Sequence, residues 1–351
     1  MYINQVEIGS KNKSLQVTPC RYRSGGEPEL IVRRKGKQIM KVPSKAVGVE
    51  NINACKPVTI YTVRLVICFV VLLLTFRAVQ AQAEWPYVVP SKDGTPISYE
   101  IYGTGEPTLV FVHGWSCDAR YWRAQLSHFS KNQRVVTLDL AGHGHSGTTR
   151  SKYTMLAFGE DVRAVTEAIG SRSLILIGHS MGGSVVAEAS RLMPKSVIGL
   201  IGIDTLENIE YPMTRKELDQ MIAPLKKDFR TGSRQFVKEM ILPSTDPLIR
   251  DWILSDMSAA PPAVALSAMN EMMSQYITGE SAKIFDEIRI PVVTVNGDLW
   301  PINYEANRRH MFSFDAIVLK EADHFLMMDR AEEFNRALEN AINIILQKKV
   351  K

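Results

Sequence analysis

Six short apolar runs constrain this chain more than anything else in it: TLVFVHG at 108–114, RVVTLDL at 134–140, SLILIGHS at 173–180, VIGLIGID at 197–204, IPVVTVNGD at 290–298 and AIVLK at 316–320. Each is apolar along its length rather than at alternate positions, which is the pattern of strands buried on both faces of a parallel sheet. Helix-length segments such as ARYWRAQLSHFSK, MLAFGEDVRAVTEAIG and SVVAEASRLMP separate most of them. The alternation predicts an α/β fold, a mostly parallel open sheet flanked by helices. Ahead of it, WPYVVPSKDGTPISYEIYG reads as a hairpin turned at Asp93 and Gly94, where positive φ is needed.

One interval breaks the rhythm. Residues 205–289 separate two strands that a single helix would otherwise join, and they carry the amphipathic stretches RKELDQMIAPLKKDF and SRQFVKEMI. This predicts a helical cap inserted over the carboxyl edge of the sheet, where open α/β sheets bind their ligands. Its methionines (Met213, Met221, Met240, Met257, Met269, Met272 and Met273) either line an adaptable apolar pocket or pack the cap helices together. The core is expected in 84–204 and 290–351.

Charge is unevenly spread. Residues 1–83 hold 13 Lys+Arg against 4 Asp+Glu, net +9, which leaves 29 against 33, net −4, for 84–351. The basic balance belongs to the leader and is not a nucleic-acid signal. Within that leader, LVICFVVLLLTF at 65–76 is twelve residues without a charge, flanked by Arg64 and by the small residues Ala81 and Ala83. That is the build of a secretory signal, expected over 63–83 with cleavage after Ala83, and too short to cross a bilayer core comfortably. Export to the periplasm or outside the cell follows, with a membrane-anchored form as the alternative if 65–76 is not cut. Residues 1–62, with no convincing hydrophobic period, are expected to be an extension ahead of the true start, at Met40 or a non-Met start such as Val63. Only Cys117 lies beyond the leader, so neither a disulfide framework nor a thiolate metal site can be built there.

The chemistry concentrates in LILIGHSMGG. A buried strand ends at Gly178 and a helix begins after Ser180, with further glycines at 182 and 183. This is G-x-S-x-G in the context it requires: a turn tight enough to lift the serine hydroxyl clear at the head of the helix. Upstream, the turn in LVFVHGWSCD offers the N–H of Trp115, which with that of Met181 can stabilise a developing oxyanion. His113 is expected to brace that turn. A serine hydroxyl also needs a positioned base. Of the seven histidines, His143 and His145 sit in a glycine-rich loop with no carboxylate or cysteine to complete a metal set. His324, in KEADHFLMMD after the last strand, falls at the carboxyl edge and is the base.

Taken together, HGW at 113–115, DLAGHGHS at 139–146, GHSMGG at 178–183 and DHF at 323–325, in this order, resemble the α/β-hydrolases over essentially all of 85–348. The resemblance implies Ser180 as nucleophile, His324 as base, Trp115 and Met181 as oxyanion hole, and an acid from the loop after the strand ending near Asn296. The branches with an aspartate nucleophile are excluded because Ser180 holds that place. In the commonest pattern the acid stands three residues after Gly297, where this chain has Trp300. Asp298, in the same loop, is expected to reach His324 instead. Asp204, at the end of the preceding strand, is the alternative, because some members draw their acid from there. Trp300 and His179 are assigned to the substrate pocket. The reading implies an apolar ester, lactone or thioester carbonyl as substrate and no metal or organic cofactor. Perhydrolysis, carbon–carbon bond hydrolysis, or a non-catalytic binding or signalling role on the same scaffold are the other functions to separate.

Overall fold

The computed structural model describes residues 16–18, 29–33, 39–43 and 86–349. The chain divides into two units, 1–82 and 83–351. In the first, β1 (Gln16–Thr18), β2 (Glu29–Arg33) and β3 (Ile39–Pro43) form a three-stranded antiparallel sheet. Residues 1–62 therefore contain regular structure that the sequence did not reveal, because β1 is only three residues long and β2 (ELIVR) and β3 (IMKVP) carry charged residues instead of an unbroken apolar run. The segment expected to be a signal, 63–83, lies outside the described residues. Among the described residues no helix is long and apolar enough to cross a membrane.

The second unit is built on an eight-stranded sheet. The hairpin comes first, β4 (Tyr87–Pro90) and β5 (Pro96–Tyr102), antiparallel and closed through Gly94 at φ +83. Then follow β6 (Thr108–Val112), β7 (Val135–Leu138), β8 (Leu174–His179), β9 (Val197–Ile203), β10 (Pro291–Asn296) and β11 (Ser313–Val318). Their spatial order is β11-β10-β9-β8-β6-β7-β5-β4, parallel throughout except for the hairpin. All six expected strands form. The innermost, β6 and β8, are buried at every residue, which is why their sequences are unbroken apolar runs rather than alternating ones.

The first helix, α1 (Arg123–Phe129), continues a 3₁₀ turn at Ala119–Trp122. The next two, α2 (Met155–Ala168) and α3 (Met181–Leu192), pack on each other. Between β9 and β10 run α4 (Arg215–Lys227), α5 (Phe229–Lys238), α6 (Pro247–Met257), α7 (Pro262–Ile277) and α8 (Glu280–Glu287), so the interval that broke the rhythm is helical. The chain ends in α9 (Tyr304–His310), α10 (Leu326–Asp329) and α11 (Ala331–Lys349). The last helix lies against β9 and β10, close enough that a Cβ on Gly199 would meet Ile345 Cγ2 at 2.3 Å.

From β6 the chain moves one way along the sheet to β7 and then returns past β6 to β8. The carboxyl ends of β6 and β8 thus flank the point where strand order reverses, the crevice at which open α/β sheets hold ligands. The HGW turn leaves β6 there, and Ser180 leaves β8.

Candidate active site

Ser180 stands between β8 and α3 with φ +53 and ψ −120, a conformation that non-glycine residues rarely adopt. Glycines make the turn possible. A Cβ at 178 would meet Gly182 O at 2.2 Å, one at 182 would meet Val112 O at 2.6 Å, and one at 183 would meet Thr205 Cγ2 at 2.6 Å. The turn after β6 is equally close: a Cβ on Gly114 would sit 3.1 Å from Ser180 Cβ. Trp115 secures that turn from above, donating from Nε1 to Ala265 O on α7 at 2.7 Å and meeting Phe229 and Phe236 edge to face. His113 braces it from below, with Nδ1 2.8 Å from Gly114 O and Nε2 accepting the Leu140 N–H at 3.0 Å.

His324 lies in the loop between β11 and α10. Its Nδ1 is 2.6 Å from Asp204 Oδ2, and both side chains are buried. The other carboxylate oxygen of Asp204 accepts the Gly297 N–H at 2.7 Å. Ser180, Met181, Asp204 and His324 open onto one cavity of roughly 900 Å³. Trp300 stands at its wall with its ring edge-on to the His324 imidazole, centroids 5.5 Å apart. Five of the seven singled-out methionines line the cavity: Met213, Met221, Met240, Met272 and Met273. Met257 and Met269 are core residues instead.

A family model described as the alpha/beta hydrolase fold matches residues 107–240. The chain is an α/β-hydrolase-fold protein. Over 255 residues, 68% of this chain and 64% of the relative, it is 26% identical to the dihydrolipoyllysine-residue acetyltransferase component of the acetoin cleaving system of Pseudomonas putida. Over 101 residues, 28% of this chain and 37% of the relative, it is 39% identical to the bifunctional esterase/perhydrolase DCH of Acinetobacter calcoaceticus. These matches therefore span from about a third to just under two thirds of the relatives' length. Among solved structures, the bromoperoxidase of Bacillus anthracis superposes with a TM-score of 0.65 at 20% identity, covering 74% of this chain and 99% of that one, which is a likeness of fold.

In this α/β-hydrolase fold the sequence assignments divide. Ser180 and His324 come to one cavity, as expected. The acid differs: the structure sets Asp204, not Asp298, on His324. The reason is the course of the chain after β10. Gly297 is wedged between Asp204 and the histidine loop, where a Cβ would lie 2.2 Å from Ala322 O. The Asp298 carboxylate pairs instead with Lys320, 3.7 Å from its Nζ. Because β9 and β10 are parallel neighbours with Ile203 opposite Val295, an acid just past β9 can serve where one past β10 would.

His179 is the second correction. It is buried and does not line the cavity; its Nε2 is 2.8 Å from His324 O and its ring packs on that of His324 at 4.7 Å. Burial, reinforced by the charge of His324, pushes it well below the usual histidine range, so it supports the base as a neutral ring. Asp323, next to the base, turns away to Thr245 Oγ1 at 2.5 Å and the Phe325 N–H at 2.8 Å.

Glu207 went unnoticed in the sequence. It lines the cavity, accepts from Asn296 Nδ2 at 2.9 Å, and has its carboxyl pushed up to about 7 by burial and by the charge of Asp204. No motif marks it; the only available signal was its place three residues after the acid at the end of β9.

Backbone strain follows the same map. Among the described residues, the non-glycine positions with positive φ are Ser116, Ser180, Asp204, Leu206 and Glu321, and all five lie in loops leaving the carboxyl ends of β6, β8, β9 and β11. Such conformations cost about 1–3 kcal/mol each and persist where the surrounding structure enforces them, characteristically at functional sites.

Proposed function

We propose that the chain is a serine hydrolase acting on an ester, lactone or thioester through an acyl-enzyme, with Ser180 as nucleophile, His324 as base and Asp204 as acid. The observation that carries the reading is the buried 2.6 Å contact of Asp204 with His324 Nδ1 in the cavity that Ser180 also lines. Asp204 fixes the tautomer, leaving Nε2 to take the Ser180 proton as Oγ attacks the carbonyl carbon. The developing oxyanion is received by the N–H groups of Met181 and Trp115. Met181 opens α3, so its N–H has no intrahelical acceptor, and Gly114 brings the Trp115 turn against Ser180. His324 then gives its proton to the leaving alcohol or thiol, and water, activated by the same imidazole, releases the acid and restores Ser180. The methionines and Phe236 suit an apolar acyl group. The esterase/perhydrolase relative supports an ester carbonyl as the reacting group. Export is proposed from the 63–83 segment alone.

The test is a panel of p-nitrophenyl esters with the full chain and with Ser180→Ala. Wild type is expected to hydrolyse them and to be labelled at Ser180 by a fluorophosphonate, and the variant to lose about 10⁴-fold or more in kcat. A wild-type chain that neither turns over nor labels is a binding protein on this scaffold.

A further inference from the structure

One acid of the cavity that Ser180 lines has no part in that reaction. Asn296 Nδ2 holds Glu207 Oε1 at 2.9 Å, while the next residue, Gly297, holds Asp204 through its N–H. Two successive residues at the end of β10 thus fix two acids of the adjacent loop, one turned to His324 and the other lining the cavity. The remaining carboxylates of the cavity are already matched: Asp204 with His324 and Gly297, and Glu305 with Arg309 at 3.0 Å. Among the described residues lining the cavity there is no lysine or arginine. An ionised Glu207 therefore has no lysine or arginine as counter-ion, in a chamber faced largely by methionines and aromatic rings, where His324 is already paired with Asp204.

The mouth supplies a complementary feature. Tyr211 and Trp300 line the cavity and remain 54% and 39% exposed, large aromatics left open to whatever enters. Tyr304 is there too, but the Arg308 guanidinium already lies 5.4 Å from its ring centroid. Aromatic faces attract cations through the ring quadrupole, most strongly where water is excluded.

We propose that the cavity selects substrates bearing a cationic nitrogen, a protonated amine or a quaternary ammonium, paired with Glu207 and faced by Tyr211 and Trp300. The selection rests on the hydrolase reading for what happens to the ligand, but not for its binding. The charge that does the selecting is conditional. Burial and Asp204 raise the Glu207 carboxyl to about 7, with His324 pulling the other way. The groups facing it are Asp204 from its own loop, His324 from the loop after β11, Tyr276 from α7 and the neutral amide of Asn296 from β10. Tyr276 is pushed above its usual range by burial and then by Glu207, so it stays neutral throughout. A cation favours the ionised carboxyl, so binding is tight above about pH 7 and weakens as pH falls through that value.

Calorimetric binding of tetramethylammonium to the full chain at about pH 6 and about pH 8.5 tests this, with Kd expected to tighten about tenfold as the ionised fraction of Glu207 rises from about a tenth to nearly one. Glu207→Gln removes the pH dependence, and Trp300→Ala weakens binding at both values. In kinetics, the ratio of kcat/KM for butyrylthiocholine to that for its uncharged isostere, 3,3-dimethylbutyl thiobutyrate, rises with pH in wild type and is flat in Glu207→Gln; taking the ratio cancels pH effects on the chemical steps the two thioesters share. Binding that ignores pH in wild type, or equal kcat/KM for the two thioesters, overturns the selectivity. A chain that binds the ammonium as described but turns over neither thioester contradicts the hydrolase reading and leaves the selectivity standing.

Discussion

Replacing Asp204 with asparagine would keep the shape of the side chain and the bond from Gly297, yet it would place a neutral amide against His324 Nδ1 and remove the charge that stabilises the imidazolium. By analogy with the serine-protease triad, kcat is expected to fall by about 10⁴. Asp298→Asn, altering a carboxylate whose partner is Lys320 at 3.7 Å, is expected to change kcat by less than about threefold, since a partly exposed ion pair contributes little. Ester kinetics on the two variants decide the assignment, and the reverse ranking would sink it. The nucleophile and base were legible in the sequence because each follows a strand whose apolar run announces it. The acid was not, because Asp204 and Asp298 both follow such runs and the choice depends on contacts in space: the Gly297 N–H binds Asp204, while Asp298 pairs with Lys320. Glu207 was still less legible, since its significance comes from what surrounds it in space.

At the scale of elements, β8, its turn and α3 work as one part, and Gly178 and Gly182 are set by backbone contacts rather than by flexible side chains. A Cβ at 182 would press on Val112 O and His113 O, at 2.6 and 2.8 Å, and so push the end of β6 and the Trp115 turn away from Ser180. Gly182→Ala is therefore expected to destabilise by about 1–3 kcal/mol, the range for overpacking, and to lower kcat as well. Gly170→Ala is the comparison: at φ +65 with nothing within 4 Å, it should cost about 1 kcal/mol in backbone strain and leave kcat alone. Urea unfolding and ester kinetics on both variants test the contrast, which fails if Gly182→Ala keeps full activity. Elements of this kind were readable in advance where a run of apolar residues met a turn signal, as at Asp93 and Gly94. Strands β1 to β3 were not, because β1 is only three residues long and charged residues interrupt or bound β2 and β3, so that no unbroken apolar run marks them.

At the scale of the whole molecule, three histidines are enclosed so completely that protonating any of them opposes the fold. Burial pushes His113, His143 and His179 below the ordinary range, His143 to about 3, and the His113 and His143 rings stand only 5.0 Å apart. In the unfolded chain each takes a proton near its reference value of 6.5. Below that pH the unfolded state binds more protons than the native one, so stability falls as pH drops from about 6.5 towards about 3. His143 alone accounts for about 2 kcal/mol of that loss by about pH 5. Glu207 runs the opposite way: its carboxyl is raised from 4.5 to about 7, so it contributes fully below about 4.5 and that contribution is lost as pH rises to about 7. Asp161, Glu188, Asp256 and Asp323, also raised by burial, share that sense. Over the upper part of the histidine window Glu207 offsets about one histidine of the three, and the lesser rises of those four carboxylates and of His310, held up by Glu210 and Asp286, offset part of the rest, so the net effect of acid is destabilising. Urea unfolding of the full chain is thus expected to show lower stability at about pH 5.5 than at about pH 7. Glu207→Gln should steepen that fall while raising stability at about pH 8 by about 2 kcal/mol, because the variant no longer has a half-buried carboxylate to ionise beside Asp204. A wild-type profile that stays flat down to about pH 5 would mean that the histidines gain protons without opening the fold, contrary to their enclosure.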